Sequence, residues 1–495
     1  MGIVFRQSVK TTIIIFAGAI LGALVLFLST QLIPKQQLGF SRTLTTQALM
    51  ASQLFMFGLH NTLSVYIHQY NNSDKRKHVL IGLCLLLPIF LVGISTIVYY
   101  TFRYQIVHLF KPEDITFIQR YFMWLPLFTL LFIYLTILEQ FLASQMKVAL
   151  STFTKEIVVR LANIVLIVLF GLQLITFDAF IAGTVLAYLI PVSLLVIFSR
   201  RQKAFGLSLQ INAFSKTELK ELLHFTWYHW LLSVSLTLMG VLDTLMLGPL
   251  SPNGLSDVSV YTNAIFFISF LQIPYRAMVS ATFPEFAKTF KTNDQNKTQD
   301  LFHRSSINIL IASLAITILI CVNMHNAVTV MKKGYEAMTT LVYILTIGTL
   351  IDIATGMNGQ VLSVSNYYKA NFYFSLTLVG LMILFYSLFI PRYGIYGAAW
   401  GSAAALIIYN VIKFIYVWKK LGLQPFTGKT SLLLVAGAVT FCAGYFYPNL
   451  TNPYLDTFIR SFIVISIYIL MLLWLKPSAD LQQYISSVRK NKRLF

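Results

Sequence analysis

Long apolar segments follow one another along this chain with only short polar gaps between them, and very few folds accommodate that pattern. Hydrocarbon offers backbone N–H and C=O groups no partner, so a run of about 20 apolar residues crosses it as a helix. Hydrophobic residues make up 57% of the 495 positions and charged residues only 11%, against roughly a quarter charged in an ordinary soluble domain. Mean hydropathy is +0.73. The chain reads as an all-α polytopic membrane protein of about fourteen spans.

On that ruler the spans fall near 9–33, 43–70, 78–101, 116–143, 151–172, 179–198 and 222–248. The second set lies near 257–283, 303–324, 337–362, 371–390, 396–418, 430–447 and 455–475. The first run is too long for a signal-peptide core and lacks a convincing cleavage site, so it reads as a retained span. After residue 476, Leu481, Tyr484, Ile485 and Val488 recur at helical spacing with a basic end, which reads as an amphipathic helix on the inner leaflet or as a plain tail.

The Lys and Arg residues test this map, because cytoplasmic loops are enriched in them. With the N-terminus inside, twenty-four of the 37 fall in inner segments, as in Lys75-Arg76-Lys77 and the 199–221 gap, the longest in the chain. Seven fall in outer gaps: Lys35, Arg42, Arg103, Lys111, Lys332, Lys333 and Arg392. A miscounted helix in the middle would invert every later gap, so the contrast places both termini in the cytoplasm. A net charge of +20 spread over many short loops is a membrane address and argues against a nucleic-acid partner.

Polar groups that persist at membrane depth mark the candidate site. The second span carries Thr46, Gln53, His60, Asn61, Ser64 and His68 at helical spacing, and the seventh carries His229, Ser233, Thr237, Gly240, Asp243 and Thr244. The eighth has Thr262, Ser269, Gln272, Arg276 and Ser280; the tenth has Thr346, Thr349, Asp352, Gly356 and Gly359. The Ser, Thr and Gly members also serve as helix-to-helix glue. Arg276 keeps its proton, so it needs a carboxylate such as Asp243 or Asp352, backbone carbonyls, water or an anionic substrate near it. Asp352 near mid-span, with Asp243, is a candidate for ion coupling; a neutral structural carboxyl is the alternative. His60 and Asn61 fit either a hydrated path or a satisfied interior. Glu139, and Glu156 with Arg160 at i,i+4, read as an interfacial brace or gate.

Arg120, Lys413 and Arg460 near span ends read as snorkelling side chains, and Tyr99, Tyr100, Trp418 and Trp474 as an interfacial aromatic belt. Gly18 to Ala23 forms a small-residue packing face. Cys84, Cys321 and Cys442 lie in apolar runs as packing residues. The sequence presents no phosphate-binding Gly-rich loop, no metal-ligand spacing and no catalytic constellation, so it reads as a transporter without a cofactor rather than an enzyme. Any pumping would draw on an ion gradient, the membrane potential or the substrate gradient.

Three stretches carry a family resemblance. They are Lys10 to Gly39, closing on Leu38-Gly39-Phe40; Ala281-Thr282-Phe283-Pro284-Glu285-Phe286-Ala287-Lys288; and Ile390-Pro391-Arg392-Tyr393-Gly394-Ile395-Tyr396-Gly397-Ala398-Ala399-Trp400-Gly401, which looks like a loop into the twelfth helix. In these the chain resembles the multidrug/oligosaccharidyl-lipid/polysaccharide exporter superfamily, and within it the bacterial lipid-linked oligosaccharide flippases. The resemblance implies two pseudo-symmetric six-helix bundles (1–200 and 201–425), two appended helices (426–476) and a cytoplasmic tail (477–495). It also implies a central cavity lined by helices one, two, seven and eight.

Lipid II flippases of the superfamily have cavity arginines. Here the first two spans, as bounded above, hold none, which favours an undecaprenyl-diphosphate-linked repeat unit as substrate. The resemblance thus implies a bacterial inner-membrane flippase working by alternating access. Arg276, His60, Asn61, Gln53, Gln272 and Asp243 would face the substrate, and Asp352 and Asp243 would serve H+ or Na+. Partners would be the lipid-linked oligosaccharide, membrane lipids and glycan-assembly enzymes, with one chain sufficing as a monomer. The rivals are a cation-coupled drug exporter of the same superfamily, a polysaccharide polymerase or ligase, and a scaffold for a glycan-assembly complex. A polymerase or ligase would carry a large external catalytic loop, whereas the longest outer gap, about 102–115, is short.

Overall fold

Most of the apolar segments close into helices, some of which start on a capping side chain. The computed structural model describes residues 3–70, 74–202, 205–208, 210–292 and 294–483. Among these, ten helices are long and apolar enough to cross a membrane, and an eleventh forms if Leu255–Leu271 and Ile273–Lys291, bent by 40°, count as one span. The protein is an all-α multi-pass membrane protein. The fourteen expected spans differ from that count where the chain breaks a span or runs two together.

The chain forms two compact units, Met1–Ser259 and Val260–Phe495. The first holds α1 (Ile3–Leu32), α2 (Lys35–Phe55), α3 (Leu59–Tyr66), α4 (Lys75–Thr101), α5 (Arg103–Val107), α6 (Pro112–Tyr121) and α7 (Trp124–Ser144). It continues with α8 (Val148–Phe153), a π-helical turn at Thr154–Val158, α9 (Val159–Gly171), α10 (Phe177–Leu186), α11 (Leu189–Arg200) and α12 (Lys216–Leu250). Asp74 caps α4, and Ser215 with Glu218 forms a capping box on α12, each satisfying N–H groups that a helix start leaves open. Helix α7 is the hub, packed against α2, α3, α4 and α11 through buried Phe128, Ile133, Leu138 and Phe141.

The expected second span is two helices, because Phe57 and Gly58 turn left-handed between them. His68 lies in the turn beyond α3. The helix also starts earlier than hydropathy indicates. Arg42, expected in an outer gap, sits two turns inside α2 and is half-buried.

The second unit takes most of α13 (Leu255–Leu271), then α14 (Ile273–Lys291), α15 (Gln295–Thr329), α16 (Ala337–Ala354), α17 (Asn358–Val364), α18 (Lys369–Leu421), α19 (Gly428–Tyr445) and α20 (Pro453–Leu475). Here α15 is the hub, packed against α14, α16, α19 and α20. The expected loop from 390 to 401 is a sharp helix break: Gly394 takes φ 57 and ψ −132, a conformation open to glycine. A Cβ at Gly397 would lie 2.2 Å from the Phe389 carbonyl oxygen, so the two arms of α18 touch through their backbones. Helix α14 likewise runs through Pro284 to Lys291 instead of ending before the proline. The tail residues Tyr484, Ile485 and Val488 lie outside the described residues, while Leu481 packs on the α15–α20 core.

Apolar side chains left outside, such as Phe16 on α1 and Phe462 and Trp474 on α20, are the lipid-facing surface such a protein requires. Trp418 and Tyr100 are exposed as a belt demands, whereas Tyr99 turns inward and stacks on Phe122 at 3.7 Å. Arg460 departs most from its expected place. It is 3% exposed and, instead of snorkelling, donates to Asp456 at 3.0 Å, to the Gly444 carbonyl at 2.6 Å and to Asn449 Oδ1 at 2.8 Å. Asp456 is itself fully buried and also accepts from Asn326. Breaking such a pair strands a buried charge at about 3–5 kcal/mol. Arg460→Met should therefore lower unfolding stability in detergent by about that amount, and Asp456→Leu added to it should recover part of the loss.

Candidate functional site

In the first unit the site residues gather along a seam between α2–α3 and α12. Gly58 makes the close approach possible: with φ 71, a Cβ there would sit 2.5 Å from the Thr226 carbonyl oxygen and 2.8 Å from the Trp230 nitrogen. Across the seam Thr62 Oγ1 and Thr226 Oγ1 are 2.7 Å apart, Asn61 Nδ2 donates to Ser233 Oγ at 2.9 Å, and Trp230 Nε1 donates to the Leu54 carbonyl at 2.9 Å. Asn61 and Ser233 thus act as glue between helices. His60 is 8% exposed, its Nδ1 has no hydrogen-bond partner among the described residues, and it faces His229 within electrostatic reach. Gln53 is half-buried on α2.

One end of the seam is tied by charge. Arg76 bridges Asp74 and Glu218, each at 2.9 Å, and lies over the Tyr70 ring. The Arg76 side chain, then its backbone N–H, hold the Asp74 carboxyl below its ordinary range. A depressed carboxylate contributes stability that is present above its unfolded pKa and lost as pH falls through the folded value. At the other end Asp114, 3% exposed, accepts from the Leu255 N–H and from Gln36 Nε2, both at 2.9 Å. Sequence reasoning passed over Asp114; its signal is the Pro-Glu-Asp run that opens α6.

The brace residues form two contacts. Glu139 lies 3.6 Å from Lys155, and Glu156 pairs with Arg160 at 2.6 Å across the π-helical turn. Arg160 also donates to the Gly18 carbonyl of α1, and a Cβ at Gly18 would press on Glu156 at 2.9 Å. The small-residue face of α1 is therefore seated against this pair. Tyr188 lies within electrostatic reach of both Arg160 and Arg42, so the first unit carries two interior guanidinium groups, one of which the hydropathy ruler placed outside. Asp243 is buried and accepts from the N–H and hydroxyl of Thr244, at 2.6 and 3.2 Å.

In the second unit, Gln272 sits at the bend between α13 and α14. Its side-chain oxygen accepts from Arg276 Nη2 at 3.3 Å. Arg276 is exposed, together with Ser269 and Ser280 on the same stripe, and makes no ion pair among the described residues. Asp352, the expected carboxylate in its own unit, does not neutralise it. Asp352 is instead placed beside Asn410 and Lys413. Among the described residues no three His, Cys, Asp or Glu side chains gather as metal ligands.

Residues 4–290 match the sequence profile of a family described as polysaccharide biosynthesis protein. No curated protein sequence matches the chain. Among solved structures, the lipid II flippase MurJ in an inward closed conformation superposes with a TM-score of 0.75 at 14% identity, covering 94% of this chain and 99% of its own. A multidrug resistance MATE family transporter of the MOP superfamily, inward-facing, has a TM-score of 0.66 at 14% identity, covering 82% of this chain and 94% of its own. A MOP superfamily transporter from Pyrococcus furiosus gives 0.57 at 13% identity, covering 85% of this chain and 95% of its own. At such identities the likeness is one of fold.

The seam makes a direct prediction. Gly58→Ala forces a side chain into a left-handed turn and against the Thr226 carbonyl. It should lower stability by about 1–3 kcal/mol, seen as a fall in the unfolding midpoint of the purified protein. An unchanged midpoint would mean that α3 is free to move off α12.

Proposed function

This chain belongs to the polysaccharide biosynthesis protein family, and from that membership we propose that it moves a lipid-linked oligosaccharide across a bacterial inner membrane by alternating access, with both termini in the cytoplasm. The observation that carries the reading is Arg276, exposed on a polar face of a membrane helix and donating to the neutral Gln272 side chain, with no ion pair among the described residues. Hydrocarbon does not tolerate such a group, so that face meets water or an anion. A sugar diphosphate is an anion of the right kind, and guanidinium grips phosphate through a planar fork.

Both leaflets offer the lipid tail the same solvent, so only the head group needs a polar path. Gln272 in the second unit, and Gln53 in the first, would offer the head group hydrogen-bonding partners. Asp243 and His60 would tune the charge of the path, with Asp352 and Asp243 as the carboxylates for a coupling ion. The Glu139–Lys155 and Glu156–Arg160 contacts would brace or gate the first unit. Membership of the polysaccharide biosynthesis family supports an undecaprenyl-diphosphate-linked repeat unit as substrate; Arg42 inside α2 means that a lack of arginine in the first two spans no longer argues against lipid II.

Arg276→Ala should cut surface polysaccharide by about tenfold or more, while membrane levels of the protein stay normal. Arg276→Lys should restore it partly, since an ammonium supplies the charge without the fork. Normal glycan display in Arg276→Ala would remove Arg276 from the mechanism. The second reading, a cation-coupled drug exporter, rests on the MATE-like fold and would show as Asp352-dependent, Arg276-independent efflux in a drug-sensitised strain.

A further inference from the structure

The end of α16 is built from the parts that hold small cations in membrane transporters. The helix stops at Ala354, the chain turns through Gly356 at φ 71, and α17 starts at Asn358. A broken membrane helix leaves carbonyl groups at its C-terminal end, where the dipole favours positive charge. Around that break stand oxygen ligands. Asp352 lies on the last turn beside the Asn410 side chain. Thr355 Oγ1 is 3.3 Å from Asn410 Oδ1. The Tyr275 hydroxyl, within electrostatic reach of Asp352, donates to Gln360 at 3.0 Å. Carboxylate, amide, hydroxyl and carbonyl oxygens are the donors a hard cation takes.

One cation is already there. Lys413, on the second arm of α18, donates to the Tyr409 hydroxyl at 2.9 Å, lies 5.0 Å from that ring's centroid and attracts Asp352. Gly359 leaves room for it: a Cβ at that position would stand 3.2 Å from Nζ. Sequence reasoning had this lysine snorkelling to a head group, but its ammonium is anchored inside the second unit. Among the described residues, the titratable and charged groups within reach of Asp352 are Lys413 from α18 and Tyr275 from α14, and Tyr409 stands beside both of these.

We propose that Lys413 is the resident cation of an oxygen-lined site at the α16–α17 break, filling the place that Na+ would otherwise take. The site then excludes Na+ in the native chain. A like charge at Nζ repels an entering metal ion, and no further site for one is needed to explain the donors. The inference deepens the reading of Asp352 as the coupling carboxylate. Because it is read on purified protein without substrate, its failure leaves the flippase reading standing, and normal glycan display in Arg276→Ala would leave this inference standing.

The test compares unfolding temperatures of the full-length protein in detergent with NaCl or with choline chloride at equal ionic strength. The native chain should show no Na+-specific shift. Lys413→Ala should gain an upward shift of about 2–4 °C in NaCl, and Asp352→Asn added to it should abolish that gain. If Lys413→Ala does not fold, Lys413→Gln serves, being neutral and of similar length. A Na+-specific shift in the native chain that Asp352→Asn removes would overturn the proposal. So would a folded, neutral variant at 413 that ignores Na+.

Discussion

In hydrocarbon every interruption of a helix strands backbone groups that nothing outside the protein can satisfy, and this constraint organises the molecule. Breaks are tolerable only where side chains, packed backbone or water receive the freed groups. Several polar residues of this chain stand at such places. His60 and Asn61 follow the Phe57–Gly58 turn, Glu156 lies in the π-helical turn, and Gln272 sits at the bend between α13 and α14 with Arg276 one turn beyond it. Asp352 precedes the α16–α17 break. The same interruptions that a membrane helix resists supply the polar surface a transporter needs.

Charges inside the protein divide by whether their partners are complete. Asp456 and Arg460 are buried and satisfy each other together with two carbonyls and two asparagines. That set is closed, and it holds the start of α20 to α15. Glu156, Arg160 and the Gly18 carbonyl form a similar brace in the first unit. Arg276 differs, since a neutral glutamine oxygen is its hydrogen-bond acceptor and its surface is open. Removing a closed pair tests stability, whereas removing Arg276 tests transport.

Hydropathy and spacing carried the reading as far as helix order and the polar stripes, because both are local properties of the chain. From the stripe on the second span, Asn61 meets Ser233 of the seventh, whereas the Thr62–Thr226 contact beside it lies outside both stripes. What stayed hidden depended on partners remote in sequence or on conformations that composition does not encode. Arg42 was misplaced because the polar start of α2, Gln36 to Gln47, lowers its hydropathy although it is helical. Gly394 reads like a loop residue, yet its conformation turns one helix directly into the next. Lys413 and Arg460 look alike from sequence, each near a span end; their partners Asp352 and Asp456 decide that neither reaches a head group.

The account stands or falls on whether the protein moves an anionic head group between leaflets. The direct measurement reconstitutes it into vesicles holding a fluorescent undecaprenyl-diphosphate-linked oligosaccharide and follows loss of the inner-leaflet pool to an external, impermeant quencher. The account predicts protein-dependent exposure of that lipid, with a neutral lipid of equal chain length staying in its leaflet. Vesicles that leave the oligosaccharide lipid unmoved while exporting a cationic drug would contradict it.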